Sequence, residues 1–407
     1  MTISRRLLLG AAAATAVPGV GRSQSETKTL RIGVMNDQSG PYRDDGGPTG
    51  VICVKQAVQE MAATLGFNVE VLVADHQNKP DIGAGIARQW FDQGGVDAIV
   101  DVPTSSVALA VNTVCREKNK VMLNNGAATT DLTGAQCSPN TICWTYDTYM
   151  LAKSTGGAMV RSGGDSWYFI TANYVFGQQL QRDTSRFVTE GGGKVAGSRE
   201  YPFPDTTDFS AMLVQAQASR AKVLGLCNSG GDTINCIKQA QEFGLTKTMK
   251  IAAMLFYASN VHALGLETAQ GLLLTESYYW DLNDRTRAFQ NRIKDKTPNQ
   301  WPNMVQAGCY ASVLHYLKAV ADIGIPAAKA DGKAAVARMK AMPTDDDCFG
   351  PGTIRADGRK IQPSYLLQAK APSESKGGWD LLKLVATTPA DEAFRPLAEG
   401  ACSLLKS

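Results

Sequence analysis

Strand–helix alternation, met twice along one chain, limits this protein to parallel-sheet architectures. "TLRIGVM" (29–35) is a continuous apolar run, and "VICVKQAVQEMAATL" after it sets Val51, Val54, Val58, Met61 and Leu65 at helical spacing. "VEVLVAD" (69–75), "DAIVDV" (97–102) and "KVMLNN" (120–125) repeat the strand, with "DIGAGIARQWFDQ" and the segment from Val107 reading as helices between them. The pattern restarts at "SWYFITAN" (166–173), where "KVAGSREYP", "KVLGLCNS" and "KIAAMLF" alternate with three further helical stretches. Strands that are apolar along their whole length need cover on both faces, which helical crossovers supply. The spacing therefore predicts an α/β fold of two Rossmann-like lobes, near 30–145 and 150–270, with a cleft between them. The long helix "QAGCYASVLHYLKAVADIG" and the final turns and strands of "CFGPGTIRADGRKIQPSYLLQAK" return to these lobes through a multi-crossing hinge. The expected division is 26–147 with 276–347 for the first lobe. The second lobe takes 148–275 and 348–407, the latter including a C-terminal extension. In open α/β sheets a ligand sits beyond the carboxyl ends of the strands.

Charge argues against a nucleic-acid or anionic-membrane partner. The formal charge of +3 comes wholly from Arg5, Arg6 and Arg22, and the remaining chain is balanced. Those arginines flank "LLLGAAAATAV", an apolar run too short to span a bilayer, so residues 1–25 read as an export signal cleaved between Gly19 and Glu26. The Arg5–Arg6 pair also resembles a twin-arginine signal. Export leads to the periplasm, where disulfides are permitted. Nine cysteines leave at least one unpaired. Cys137 and Cys143 bracket a turn and can pair locally, while Cys348 and Cys402 can staple the C-terminal region. Spacing does not fix the connectivity. Cys53, Cys115 and Cys309 fall on helices and read as buried thiols.

Catalytic signatures are missing. Neither H-E-x-x-H, G-x-S-x-G nor G-x-x-x-x-G-K-[ST] occurs, and there are three histidines, His76, His262 and His315. A hydrolase built on Ser105 or Ser106 would need His76 as its base. No metal or cofactor is implied, and the chain reads as a binding protein rather than an enzyme. What remains is the turn "VPTSSV" (102–107), a hydroxyl-lined helix start where a nucleotide-binding protein would carry glycines. Unpaired amides and the helix dipole favour an anion there, and serine adds donors without bulk. The same hydroxyls also suit a helix cap.

These residues resemble a known family, the periplasmic substrate-binding proteins of ABC transporters in the branched-chain amino-acid class, with the type I periplasmic-binding fold. The resemblance spans the chain beyond the signal and rests on "LRIGVMNDQSGPYRDDGGPTG", the turn at 103–106, "NNGAATTDLTG" (124–134), "NYVFGQQL" (173–180), "DTTDFSAMLVQAQ" (205–217) and "INCIKQAQEFGL" (234–245). "DEAFRPLAEGACSL" is similar to a subgroup associated with aromatic acids.

The resemblance implies a receptor that closes two lobes over a small carboxylate and presents it, as a monomer, to permease subunits. It places the carboxylate on Ser105, Ser106, Ala127 and Thr129. Tyr174, Phe176, Ser229 and Gly230 would contact it from the second lobe. Family members that bind amino acids carry an acid where this chain has Phe256 and Tyr257, which favours an aromatic acid over an ammonium-bearing ligand. Tyr42 and Tyr278, the latter beside Tyr279 and Trp280, are candidate walls. The alternatives are an amino acid or small amide as ligand, with Asp205 or Asp208 supplying the acid, and a ligand-sensing regulator of the same fold.

Overall fold

The computed structural model describes residues 28–405, so the export signal read at 1–25 lies outside the described residues. The first lobe is built on a five-stranded, wholly parallel sheet in the order β2-β1-β3-β4-β5. Its strands are β1 (Thr29–Asn36), β2 (Asn68–Asp75), β3 (Ala98–Asp101), β4 (Val121–Asn124) and β5 (Thr141–Cys143). Helices α1 (Gly47–Met61), α2 (Pro80–Asp92) and α3 (Ser105–Lys118) connect them. The second lobe repeats the plan in the order β7-β6-β8-β9, again wholly parallel. It uses β6 (Ser166–Ala172), β7 (Lys194–Tyr201), β8 (Val223–Cys227) and β9 (Lys250–Ala253), linked by α4 (Val175–Glu190), α5 (Ser210–Ser219) and α6 (Gly230–Glu242).

Hydrophobic patterning explains which strand lies where. Every residue of β3, β4, β6 and β8 is buried, whereas the edge strands β2 and β7 are mostly half-exposed or exposed. Only strands sandwiched by helices on both faces can be apolar throughout.

The chain then crosses between lobes several times. Helix α7 (Ala258–Leu264) and strand β10 (Leu273–Glu276) complete the second lobe. Helices α8 (Asp284–Ile293), α9 (Met304–Ile323) and α10 (Gly332–Ala341) follow, and α9 and α10 pack on the first lobe, α9 lying along α1. The expected division gave 348–407 to the second lobe, but the structure splits that segment. The hairpin of β11 (Thr353–Ile354) and β12 (Lys360–Ile361) reaches the first lobe, where the Cys143 N–H donates to Gly358 O at 2.9 Å. It covers the free edge of β5. Strands β13 (Ser364–Ala369) and β14 (Leu382–Thr388) then join β10 in an antiparallel sheet beside the second lobe.

The disulfide also departs from both expected pairings. Cys137 bonds Cys402 across 265 residues of sequence and ties the C-terminal tail back to the first lobe. Cys143 lies buried on β5 and Cys348 lies buried in the core, and both are free thiols. Both cysteines of the first expected pair are buried, but the Cys143 sulfur lies within the first lobe's core, 3.6 Å from Asn124 Nδ2, while Cys137 bonds Cys402. No helix among the described residues is long and apolar enough to cross a membrane.

Candidate ligand-binding site

All the turns that meet between the lobes leave the carboxyl ends of strands. After β1 comes a loop held by Asp37, whose carboxylate accepts from the amides of Gly40 and Tyr42 at 2.6 and 2.8 Å and from Asn78 Nδ2 at 2.7 Å. That loop projects Tyr42 and Asp45 into the cleft. After β3, Asp101 and Val102 take left-handed backbone conformations, with φ of 84° and 56°. A β-branched residue there is strained, as backbones at binding sites often are. The turn brings Pro103 against Gly126, where a side chain would meet Pro103 Cβ at 2.6 Å. From the second lobe, Tyr174 and Phe176 follow β6, Ser229 follows β8, and Leu255 and Tyr257 follow β9.

Together Tyr42, Asp45, Pro103, Gly126, Tyr146, Tyr174, Phe176, Ser229, Leu255, Tyr257 and Val305 line the cavity. The space is narrow. About 270 Å³ lies between the lining atoms. The phenols fill it by pairing with one another. Tyr42 and Tyr174 share a hydrogen bond of 2.6 Å across the cleft, and Tyr146 and Tyr257 share one of 2.9 Å. Tyr42 also stacks on Phe203, with ring centroids 5.1 Å apart. Burial pushes the Tyr42, Tyr174 and Tyr257 hydroxyls far above the usual phenol range, so all three are neutral donors and acceptors. A larger groove, about 1190 Å³ on the same measure, involves the second lobe and its accessory sheet alone, around Ile237, Met249 and Leu272.

The lobes are held shut by polar contacts. Ser229 Oγ donates to Asp45 Oδ2 at 2.9 Å, and Asn260 Nδ2 to Asp45 Oδ1 at 3.2 Å. The Gly231 amide donates to Pro41 O at 3.1 Å. Gly230 beside it has φ +58°, and a Cβ there would lie 2.3 Å from the same oxygen. Burial raises the Asp45 carboxyl to about 7, against the lowering effect of its Asn260 and Ser229 partners.

Of the residues expected from sequence, Tyr42, Tyr174, Phe176, Ser229 and Tyr257 line the cavity, and Gly230 forms its closing contact. Ser105 and Ser106 stand at the start of α3, next to Pro103 but not on the cavity wall. Thr104 is the capping residue of that helix, and its hydroxyl goes to Asn78 instead. The Ser105 hydroxyl is fully buried and without a hydrogen-bond partner among the described residues. Ala127 and Thr129 serve the neighbouring turn. The Ala127 amide donates to Asn124 Oδ1 at 2.9 Å, and Thr129 Oγ1 accepts from the Asp131 amide at 3.2 Å. Phe256 and Tyr278 are not walls. Phe256 points into the second lobe's core, and Tyr278 packs edge-on against Phe289, 6.1 Å between centroids. Asp205 and Asp208 are exposed, and Asp208 caps its own turn through the Ser210 amide. His76 Nδ1 accepts from the Asn78 amide at 3.0 Å, and no hydrogen bond joins the imidazole to either serine. Sequence reasoning missed Asp45, Pro103, Gly126, Tyr146, Leu255 and Val305 as lining residues. The "RDDGG" turn beside Tyr42 was the available signal for the first of them.

Two like-ordered parallel sheets facing each other across a closed aromatic cleft agree with the sequence comparison. Residues 29–378 match the family model described as periplasmic binding protein. This chain belongs to that family. This periplasmic binding protein is similar to the crystal structure of one from Burkholderia mallei, at 46% identity and a TM-score of 0.88, covering 93% of this chain and 99% of the other. It is 37% identical to a branched-chain amino acid ABC transporter periplasmic ligand-binding protein from Burkholderia xenovorans, with a TM-score of 0.79 and coverage of 92% and 99%. A solute-binding protein of an ABC transporter from R. palustris, solved with benzoate, shares the fold at 21% identity and a TM-score of 0.80, covering 92% and 99%. No curated protein matches the chain in sequence.

Proposed function

We propose that this periplasmic binding protein is the extracytoplasmic receptor of an ABC importer. It would bind a small organic carboxylate with a flat, aromatic body and hand it to permease subunits. The observation that carries the ligand class is the wall itself. Five rings, Tyr42, Tyr146, Tyr174, Phe176 and Tyr257, meet from both lobes, and among the described residues no lysine, arginine or histidine lines the cavity. Aromatic faces suit a planar apolar body. The carboxylate end would lie toward Pro103 and the start of α3, where the buried Ser105 hydroxyl has no partner in the protein. Ser106, Ala127 and Thr129 stand around that end and form its outer support. Ligand touching both lobes favours the closed form, so binding shifts the population toward closure. The benzoate-bound R. palustris relative supports the aromatic reading by fold alone.

A second reading, an amino-acid ligand, is favoured by Asp45. It supplies within the cleft the acid that the segment around Phe256 lacks. The 37% identical relative from Burkholderia xenovorans supports it too. Isothermal calorimetry with benzoate, hydroxycinnamates and leucine tests the two. Benzenoid acids should bind, and Ser105→Ala should weaken them at least tenfold. Leucine outcompeting every benzenoid would overturn the aromatic reading.

A further inference from the structure

We infer that Asp45 sets ligand specificity by accepting a hydrogen bond from a donor group, a hydroxyl or an ammonium, at the end of the ligand opposite its carboxylate. This rests on reading the cleft as a carboxylate site. Asp45 is almost wholly buried on the cavity wall. Its Oδ2 accepts from Ser229 and its Oδ1 from Asn260, both from the second lobe. The carboxyl is therefore fixed in place by closure. A carboxylate offers about four lone-pair directions, so these two bonds leave it roughly half used.

The other polar side chains of the wall have partners within the protein, save one proton of the Tyr42–Tyr174 pair, which a single bond between two hydroxyls leaves over. The Tyr146 hydroxyl donates to Gly126 O and accepts from Tyr257, and the Tyr42 and Tyr174 hydroxyls hold each other. No cationic side chain lines the cavity to balance Asp45. Asp44 and Asp37, on the same loop, add negative field rather than relieve it. A buried acceptor in this position is satisfied by a donor the ligand brings, and a ligand without one leaves it unpaired. The same charge repels a second carboxylate, which orients the ligand with its acid toward Pro103 and α3.

Matched ligand pairs test this by calorimetry on the full chain. 4-Hydroxybenzoate against benzoate reads the hydroxyl, and phenylalanine against 3-phenylpropionate reads the ammonium. The wild type should favour the donor-bearing member of one pair at least tenfold, and that pair names the donor. Asp45→Leu, which also loses the two bonds across the cleft, should bind both members more weakly and bring the ratio to within about threefold of unity. Asp45→Asn, close to Asp45 in shape, is the second variant should Asp45→Leu not fold. It should abolish an ammonium preference and keep part of a hydroxyl preference. An unchanged ratio in Asp45→Leu, or in Asp45→Asn for the ammonium pair, would overturn the inference, as would a wild type indifferent within both pairs. If all four fail but leucine binds over 4-methylpentanoate in an Asp45-dependent way, the aromatic reading falls and this inference stands. Binding by none of the six overturns both.

Discussion

Ser229 Oγ and Asp45 Oδ2 lie 2.9 Å apart although 184 residues and the whole cleft separate their elements. The bond joins the turn after β8 to the loop after β1, so it exists only while the lobes are together. Burial between these two turns is what lifts the Asp45 carboxyl to about 7.

Closure on a ligand that brings no donor should therefore take up a proton, whereas a donor-bearing ligand keeps Asp45 ionised and should not. The closed form holds the Asp45 proton more tightly than an open form in which the carboxyl meets water at its ordinary value. Apparent affinity for a donor-free ligand is then highest below the ordinary carboxylate range and falls as pH rises toward about 7, by up to roughly tenfold per pH unit. Above that the dependence levels off. Calorimetry in buffers of differing ionisation enthalpy should register proton uptake near neutral pH, and Asp45→Asn should remove it.

Glu276, at the end of β10, accepts from the Ala258 amide at 2.8 Å and the Met304 amide at 3.1 Å. One carboxyl thus satisfies the starts of α7 in the second lobe and α9 in the first. Glu276→Ala should lower stability by about 1–3 kcal/mol for each amide left unpaired. Burial raises this carboxyl to about 8 in spite of those two amides. An acid raised on folding stabilises fully below its unfolded value, and that contribution is lost as pH rises through about 8. The urea midpoint of the wild type should fall more between roughly pH 5 and pH 8 than that of Glu276→Gln, which cannot titrate.

How far the sequence reached depended on what each position needs from distant chain. Strands β3, β4, β6 and β8 were legible because full burial makes each mainly apolar, with the polar residues at or near the strand ends. Tyr42 and Tyr174 were found because they follow strand ends. Phe256 and Tyr257 could not be separated, since adjacent side chains leaving a strand point opposite ways. One entered the core and the other met Tyr146. Asp45 looked like loop charge beside Asp44, Gly46 and Gly47, because its burial comes from Ser229 and Asn260, about 200 residues away. The disulfide was missed for the same reason, local spacing being blind to a partner 265 residues on.

The Cys137–Cys402 bridge holds the tail that crosses back from β14, together with Arg395, whose guanidinium donates to Thr130 O at 3.0 Å. Cys402→Ser should cost about 2–5 kcal/mol, read as a lowered unfolding midpoint. Reductant should shift the wild type by a similar amount and leave the variant unmoved. The seven other described cysteines are buried, so a thiol reagent should reach them only after unfolding.

Gly230→Ala separates closing from folding. The residue has φ +58°, which costs a side chain about 1–2 kcal/mol, a loss the second lobe can bear. Against the first lobe the added carbon would stand 2.3 Å from Pro41 O, a backbone atom that the Gly231 bond holds in place. The Asp45 and Tyr42 side-chain atoms, 3.1 and 3.2 Å from that carbon, can give way but the backbone oxygen cannot, so the lobes must part. The variant should unfold only a few degrees below wild type, yet scatter X-rays as a more extended particle at saturating ligand and bind at least a hundredfold more weakly. Wild-type affinity in this variant would mean that the lobes do not meet at Pro41 when ligand is held.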